Sequence, residues 1–222
     1  MGKTTKTALV VLDNTVLTNF GLLRRTDLVT ELWPGWACST PEVLAEYSAG
    51  IQAVGLPPDA WRDLPVMSLR RSENALALSL AYRLGAGERS CLAVAINRGA
   101  LLATDDRVAR QYAQKARLEV TGSLGILVQN VKTGRLSLVQ AQSLLDKLRA
   151  AGYRSPFQSL DEFFDDRKGD KKAFRAGLSP RGPGGLPAQL DLTGQSAGKR
   201  SGDRARAGAG AGYAGGGGLN GL

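Results

Sequence analysis

Apolar residues occur along the chain in short uninterrupted runs, separated by longer stretches with helical periodicity. The short runs predict buried strands at residues 8–12, 37–39, 64–69, 101–104 and 118–121. The longer stretches predict helices at residues 16–23, 40–47, 73–84, 88–97, 107–116, 124–131 and 136–150. Strands that alternate with helices at this spacing predict an α/β fold, with a mostly parallel sheet and helices on both faces.

Local signals mark the ends of some of these helices. Thr40 is a favourable N-cap and Pro41 suits the first helical position, so we expect a helix to begin there and to end at Gly50. Residues 85–87, Gly-Ala-Gly, are expected to break the helical pattern before it resumes at Glu88.

The composition changes after about residue 166. Residues 167–222 are rich in Gly, Ala, Pro and Ser and carry ten Lys/Arg against three Asp, so they hold +7 of the formal net charge of +9. Such a segment cannot bury enough apolar surface to offset its ordering entropy, so we expect a folded domain over 1–166 and a disordered basic tail over 167–222. The tail could add sequence-independent affinity for nucleic acid. It could equally be a solvated extension or the readthrough of a GC-rich sequence.

The composition also excludes several kinds of chemistry. The chain contains no histidine, which removes Ser-His-Asp and Cys-His nucleophile systems and His-ligated zinc. Cys38 and Cys91 lie far apart and form no CxxC pair, and no signal-like segment begins the chain, so we expect reduced thiols in a cytoplasmic protein. No apolar run approaches the ~20 residues that cross a bilayer, so no membrane association is expected.

Asp13 is the most informative single residue. It follows the apolar run 8–12, where a strand should end. An ionised carboxylate buried alone there would cost several kcal/mol, so it must face solvent, a partner or a cation. The carboxyl end of a strand in an α/β sheet is also where such folds place their ligands.

Further acidic residues follow in similar settings: Glu46, Glu88 and the pair Asp105 and Asp106. Each has a simpler explanation, since Glu46 could be a solvated helix residue, Glu88 a stabiliser of a first helical turn and Asp105 the N-cap of the next helix. Together, however, carboxylates repel one another unless a cation holds them. Oxygen ligands without histidine or thiolate favour Mg²⁺ or Mn²⁺, which points to phosphoryl chemistry.

The acidic residues lie in four blocks that resemble, in the same order, the motifs of the PIN-domain nucleases. The blocks are residues 11–20, 40–47, 84–90 and 101–110. A further segment, residues 120–127, is similar to a subgroup of PIN proteins found as toxin-like components of bacterial and archaeal chromosomes. The resemblance covers roughly residues 8–155.

This resemblance implies a three-layer α/β/α fold and an Mg²⁺- or Mn²⁺-dependent endoribonuclease, often a homodimer neutralised by a protein antitoxin. It implies a set of catalytic acidic residues, namely Asp13, Glu46, Glu88 and Asp106. Among these, Asp13, Glu88 and Asp106 would bind metal, with Asp105 either an accessory ligand or the true fourth one. Glu88 stands where many PIN toxins have Asp. Thr15 would orient the first ligand.

Two arginines beside the last acidic block could bind RNA. Arg107 and Arg110 lie one helical turn apart, where they could contact backbone phosphates, although a solvated basic helix face explains them equally well. The expected reaction is in-line attack of a metal-activated water on an RNA phosphodiester.

Two other functions compete with this one. A haloacid-dehalogenase-like phosphatase also begins with a strand that ends in Asp, but it needs a second Asp where Thr15 stands here. A catalytically inactive PIN-like RNA-binding protein would keep the fold without the chemistry.

Overall fold

A parallel sheet forms the centre of the protein. The computed structural model describes residues 9–80 and 83–164. Four strands lie in the order β2-β1-β3-β4 and every pairing is parallel. The strands are β1 (Val10–Leu12), β2 (Ala37–Cys38), β3 (Leu101–Ala103) and β4 (Val120–Thr121). The predicted α/β fold is confirmed; the predicted tail at 167–222 lies outside the described residues.

Helices occupy most of the connections between these strands. They are α1 (Asn14–Leu22), α2 (Asp27–Thr30), α3 (Pro41–Val54), α4 (Arg71–Ser79), α5 (Ala86–Arg98), α6 (Arg107–Lys115), α7 (Ser123–Lys132), α8 (Leu138–Ala150) and a final 3₁₀ helix, Leu160–Phe163. All seven predicted helices are present, with shifted ends. The short α2 and the 3₁₀ helix carry no periodic signal and were not predicted.

The helices form two layers because the chain reverses direction across the sheet. It passes from β1 to β2 on one side, then crosses back over β1 to reach β3 and β4. Right-handed crossovers in opposite directions place their helices on opposite faces. Accordingly, α3 and α4 pack on α5, which contacts β1, β3 and α6, whereas α1, α2 and α8 pack with α7. The result is a three-layer α/β/α domain.

Two helix boundaries and one strand predicted from the sequence are wrong. Helix α3 continues through Gly50 and ends at Gly55, whose φ of +69° is the left-handed conformation that favours glycine. The cost of Gly50 in a helix, about 1 kcal/mol relative to Ala, is smaller than the gain from the packing of the helix. Helix α5 begins at Ala86, so the first turn of the helix includes Gly87. The predicted strand at 64–69 is a single bridge between Val66 and Ser39.

The core is continuous from the sheet into both helical layers. The residues of β1 are at most 1% exposed, and Phe20, Leu102 and Ile126 are equally buried. Cys38 and Cys91 are buried free thiols, as expected. Within the described ranges, no helix is long and apolar enough to cross a membrane.

Candidate active site

The candidate site lies where the two central strands end. Asp13 directly follows β1, and Thr104, Asp105 and Asp106 directly follow β3. These strands are neighbours, and the order of strands reverses between them. In open α/β sheets, ligands bind in the crevice beyond the carboxyl ends of strands at such a reversal. The short β strands therefore bring residues 13 and 104–106 together although about 90 residues separate them in the chain.

Asp13 has one well-bonded oxygen and one without a partner. Its Oδ2 accepts hydrogen bonds from the hydroxyls of Thr15, at 2.9 Å, and Thr104, at 2.7 Å. Its Oδ1 receives no hydrogen bond, although it is buried in a residue that is only 1% exposed and has almost no access to solvent that could replace one. A buried carboxylate oxygen without a donor costs free energy, so an external ligand is the simplest reason to keep it.

Two hydroxyls connect Asp13 to the backbone after β3. Thr15 Oγ1 accepts a hydrogen bond of 3.0 Å from the N–H of Asp105, and Thr104 Oγ1 accepts one of 3.1 Å from the N–H of Asp106. Each hydroxyl is thus oriented by an amide and can only donate toward Asp13. This arrangement directs both donors to one oxygen of the carboxylate and leaves the other oxygen free.

The electrostatics of the site disfavour a negative charge on Asp13. Burial raises the pKa of Asp13, the hydroxyls of Thr104 and Thr15 and the backbone N–H of Asn14 oppose that rise, and the nearby Glu46 carboxylate adds to it. The ionised form is therefore retained at a cost, which a bound cation would remove.

Glu46 reaches the site from α3. Its Oε1 accepts a hydrogen bond of 2.8 Å from the N–H of Gly87, in the first turn of α5. A Cβ at position 87 would lie 2.5 Å from Glu46 Oε2 and 3.0 Å from a methyl group of Val43, so only glycine fits here. The free N–H groups at the start of a helix favour negative charge, which explains why Glu46 docks there.

Glu88 caps the helix on which it lies. Its Oε2 accepts a short hydrogen bond from the N–H of Gly85, the N-cap residue of α5. Burial raises the pKa of Glu88, this hydrogen bond opposes the rise, and the charges of Asp13, Asp106 and Glu46 add to it. Glu88 therefore stabilises its helix and also lies within the electric field of the other three acidic residues.

The adjacent aspartates Asp105 and Asp106 face different surroundings. Asp106 is the N-cap of α6 and its Oδ1 accepts a 2.7 Å hydrogen bond from the N–H of Ala109. The alternative in which Asp105 is the N-cap of this helix is therefore wrong. The carboxylate of Asp105 instead lies among side chains of α1, α7 and the segment after α8, namely Asn19, Ser123 and Tyr153.

The two arginines predicted to bind RNA also differ in their surroundings. Arg107 is exposed at the first position of α6. Arg110 is partly buried, donates a 3.0 Å hydrogen bond to the carbonyl of Thr121 and lies 3.9 Å from Asp105 Oδ1. Packing within the domain therefore accounts for Arg110, whereas Arg107 has no ion pair within the described residues.

The chemistry of these residues suits a hard divalent cation. The carboxylates of Asp13, Glu46, Glu88 and Asp106 lie close enough to influence one another electrostatically. Three buried side-chain oxygens of the described residues lack a donor, namely Asp13 Oδ1, Glu42 Oε2 and Asn130 Oδ1, and Asp13 Oδ1 is the one that directly follows a central strand. Within residues 9–80 and 83–164, no three acidic or thiol side chains converge closely enough to enclose an ion by themselves. Mg²⁺ commonly keeps several waters and uses only one or two carboxylates, so this open arrangement is compatible with it.

Four polar residues around the site were not predicted as site residues. Asn19 and Thr104 lie inside the blocks that carry the family resemblance, and Ser123 lies in the segment 120–127. Their polar type at the ends of buried strands and on a buried helix face is a signal that could have identified them. Tyr153 gives no such signal, since it follows α8 and reaches Asp105 only through the tertiary fold.

Comparison with known proteins identifies the family. A family model described as PIN domain matches residues 9–168. No match is found among curated proteins or among solved structures. PIN domains are typically nucleases and generally use divalent metal ions. Because the match spans well over half of the chain and the parallel α/β fold agrees with it, this protein belongs to the PIN-domain family.

Proposed function

We propose that the protein is a metal-dependent endoribonuclease that hydrolyses RNA phosphodiester bonds. The unpartnered, buried Oδ1 of Asp13 is the observation that carries the proposal. Burial, with a smaller effect from neighbouring carboxylates, raises the pKa of Asp13 and of Glu88, at the crevice where an α/β sheet binds its ligands. A cation bound there would supply the missing partner of Oδ1 and offset the charge of the neighbouring carboxylates.

Within this proposal the residues divide the work. Asp13 and Asp106 would hold Mg²⁺ or Mn²⁺, and Glu46 and Glu88 would hold or orient its waters or a second ion. The cation would supply charge neutralisation at the scissile phosphate and lower the pKa of water. Water would form the new P–O bond as the bond to the leaving ribose oxygen breaks, with its proton passing to solvent and the leaving oxygen taking a proton from solvent. Arg107, exposed beside Asp106, contacts the RNA backbone.

The finer assignment is the toxin of a toxin–antitoxin pair, acting on RNA in the cytoplasm, bound by a protein antitoxin and able to form a homodimer. It rests on the similarity of residues 120–127 to toxin-like PIN proteins. Inducible expression tests it directly. Growth arrest by the wild type but not by Asp13→Asn is the expected result, and undisturbed growth with active enzyme in the lysate would contradict the toxin assignment.

The two competing functions have less support. A haloacid-dehalogenase-like phosphatase needs an acid at position 15, where the hydroxyl of Thr15 instead orients Asp13. An inactive RNA-binding protein would have no reason to keep Asp13 buried with one oxygen unpartnered and a raised pKa.

The test incubates the full chain with total cellular RNA in Mg²⁺, Mn²⁺ or EDTA. Asp13→Asn is the inactive variant, and Asp59→Asn is the matched control because Asp59 is an exposed carboxylate paired with Arg62. We expect discrete RNA fragments from the wild type and Asp59→Asn with either ion, and none with EDTA or Asp13→Asn. Cleavage by Asp13→Asn at the wild-type rate would exclude the mechanism, and binding of RNA without cleavage would favour the inactive binder.

A further inference from the structure

The side chain of Asp105 is fully engaged by donors from three parts of the chain. Its Oδ2 accepts hydrogen bonds from Asn19 Nδ2, at 3.1 Å, and from the hydroxyl of Ser123, at 2.6 Å. The N–H of Ser123 lies 3.0 Å from Oδ1, and the hydroxyl of Tyr153 lies 3.3 Å from the same atom. The guanidinium of Arg110 is 3.9 Å away. Both carboxylate oxygens of Asp105 thus already accept hydrogen bonds from protein donors.

The backbone at Gly122 closely approaches one side of this carboxylate. A Cβ at Gly122 would lie 2.4 Å from Asp105 Oδ1 and would also overlap the guanidinium of Arg110. The side chain is only 13% exposed. A cation here would have to displace several donors, whereas at Asp13 Oδ1 it would displace none.

The backbone of Asp105 is linked to the candidate metal site. Its N–H donates to Thr15 Oγ1, and the next N–H, of Asp106, donates to Thr104 Oγ1. These two hydroxyls are the donors that fix Asp13 Oδ2. Anchoring the Asp105 side chain therefore fixes the turn 104–106, and the turn fixes the carboxylate of Asp13.

We propose that Asp105 is a positioning residue rather than a metal ligand: it ties the turn 104–106 to Asn19, Ser123 and Tyr153 and so holds Asp13 and Asp106 toward the metal. This inference rests on the proposed function and refines it. It separates two neighbouring aspartates, one that binds metal and one that orients the site.

Substitutions that exchange hydrogen-bond acceptors for donors at position 105 test this role. Asp105→Asn keeps the size of the side chain but turns one acceptor into an NH₂ group that faces donors. Adding Asn19→Asp restores a matched pair, because the new carboxylate can accept from that NH₂ while the total charge returns to its original value. Asp106→Asn is the ligand control, since Asn caps a helix as well as Asp and α6 should stay intact. Tyr153→Phe removes one donor to Asp105 from a different segment.

The experiment measures three quantities for the full chain and each variant: the Kd for Mn²⁺ by electron paramagnetic resonance, kcat and KM for RNA cleavage, and the thermal midpoint. For Asp105→Asn we expect a Kd for Mn²⁺ within about threefold of the wild type and a kcat lowered about tenfold or more. Asn19→Asp added to Asp105→Asn should recover most of the lost kcat. Tyr153→Phe should lower kcat in the same direction by less, and Asp106→Asn should weaken Mn²⁺ binding strongly.

The outcomes separate this inference from the proposed function. Loss of Mn²⁺ binding in Asp105→Asn equal to that in Asp106→Asn would overturn the positioning role even if the wild type cleaves RNA. Failure of the double variant to regain kcat would overturn it as well. Conversely, a wild type that binds Mn²⁺ but cleaves no RNA would contradict the nuclease proposal, while the Mn²⁺ affinities of the two Asn variants would still decide whether Asp105 is a ligand.

Discussion

At the scale of single residues, two opposing effects act on the carboxylate of Asp13. Its hydroxyl partners, Thr15 and Thr104, hold the carboxylate in place, while burial and the charge of Glu46 make its ionised form unfavourable. Sites that bind charged ligands often keep such unfavourable groups because the ligand stabilises them when it binds. The protein without metal should therefore be less stable than it would be with a neutral residue at this position.

The first prediction follows from that conflict. Asp13→Asn should raise the free energy of unfolding at pH 7 in EDTA, because it removes a buried group whose ionised form is disfavoured in the folded protein. A raised pKa means that the folded state binds the proton more tightly, so the wild type loses stability as the pH rises above the ordinary value of 3.8. The gain should consequently disappear near pH 4. Urea denaturation between pH 4 and 7 measures it.

Addition of Mn²⁺ provides the control for this prediction. A ligand that binds only the folded state stabilises it by mass action, so Mn²⁺ should stabilise the wild type and leave Asp13→Asn unchanged. A variant less stable than the wild type at pH 7 in EDTA would show that the ionised carboxylate is not a liability.

At the scale of elements, the contact between α3 and α5 places Glu46. The start of α5 offers the N–H of Gly87, and the absence of a side chain there lets α3 approach. The geometry of this helix pair is therefore part of the site, although the aspartates of the site follow β1 and β3 rather than either helix.

Two glycine substitutions separate packing at this contact from helix propensity. Gly87→Ala should destabilise the protein and lower nuclease activity because the new methyl group overlaps the Glu46 carboxylate. Gly50→Ala is the matched control inside α3, where the new Cβ would meet the end of the Leu56 side chain at 3.2 Å and a methyl group of Val54 at 4.0 Å. It should leave activity intact and change stability by less than about 1 kcal/mol, in the stabilising direction if Leu56 adjusts. Equal losses of activity in both variants would contradict this assignment.

A buried ion pair joins α4 to α5. Glu73 is fully buried, its Oε1 lies 2.6 Å from Arg98 Nε, and its Oε2 accepts a 2.7 Å hydrogen bond from the N–H of Arg70. The Arg98 guanidinium and this N–H hold the pKa of Glu73 below its ordinary value despite burial. The pair therefore contributes stability above that value and loses it as the pH falls through the lowered pKa.

Neutralising Glu73 should destabilise the protein because Arg98 loses its counter-charge. Glu73→Gln should destabilise the protein by roughly 3–5 kcal/mol, because the guanidinium of Arg98 remains largely buried without a counter-charge. Asp59→Asn, at the exposed pair with Arg62, is the control and should have little effect. Chemical denaturation measures both variants. A small effect of Glu73→Gln would mean that water reaches Arg98 in the folded state.

At the scale of the whole molecule, charge is distributed unevenly between the matched domain and the residues that follow. Residues 167–222 carry +7 of the net +9, whereas the family match ends at residue 168. We propose that the folded domain performs the cleavage and that the basic segment adds affinity for RNA through phosphate contacts. These contacts should release counterions and should not depend on sequence.

Replacing the ten Lys/Arg of 167–222 with Gln in the full chain tests that proposal. The variant should retain kcat at saturating RNA, bind RNA more weakly at low salt, and show a smaller slope of log K against log salt. The decrease should be about 0.7 for each lost phosphate contact with single-stranded RNA. Filter binding over a salt series measures the slope. An unchanged slope would assign all RNA affinity to the matched domain.

The sequence by itself determined the order of elements and most of the acidic site. The runs 8–12 and 101–104 are apolar enough to be buried strands, and each ends at a carboxylate, which locates Asp13 and the pair Asp105 and Asp106 at one edge of the sheet. Such signals are local, because the apolar residues of a strand lie within the strand itself. They do not decide which run pairs in the sheet, since the run 64–69 forms only a single bridge.

Only the tertiary structure decided the roles of individual polar groups. The course of α3 past Gly50 depends on packing that local propensity does not include. The different surroundings of Asp105 and Asp106 arise because Asn19, Ser123 and Tyr153 come from distant parts of the chain and converge on one side of the turn. Hydrogen bonds between residues far apart in sequence leave no periodic pattern, so which oxygen of Asp13 stays free could be read only from the folded protein.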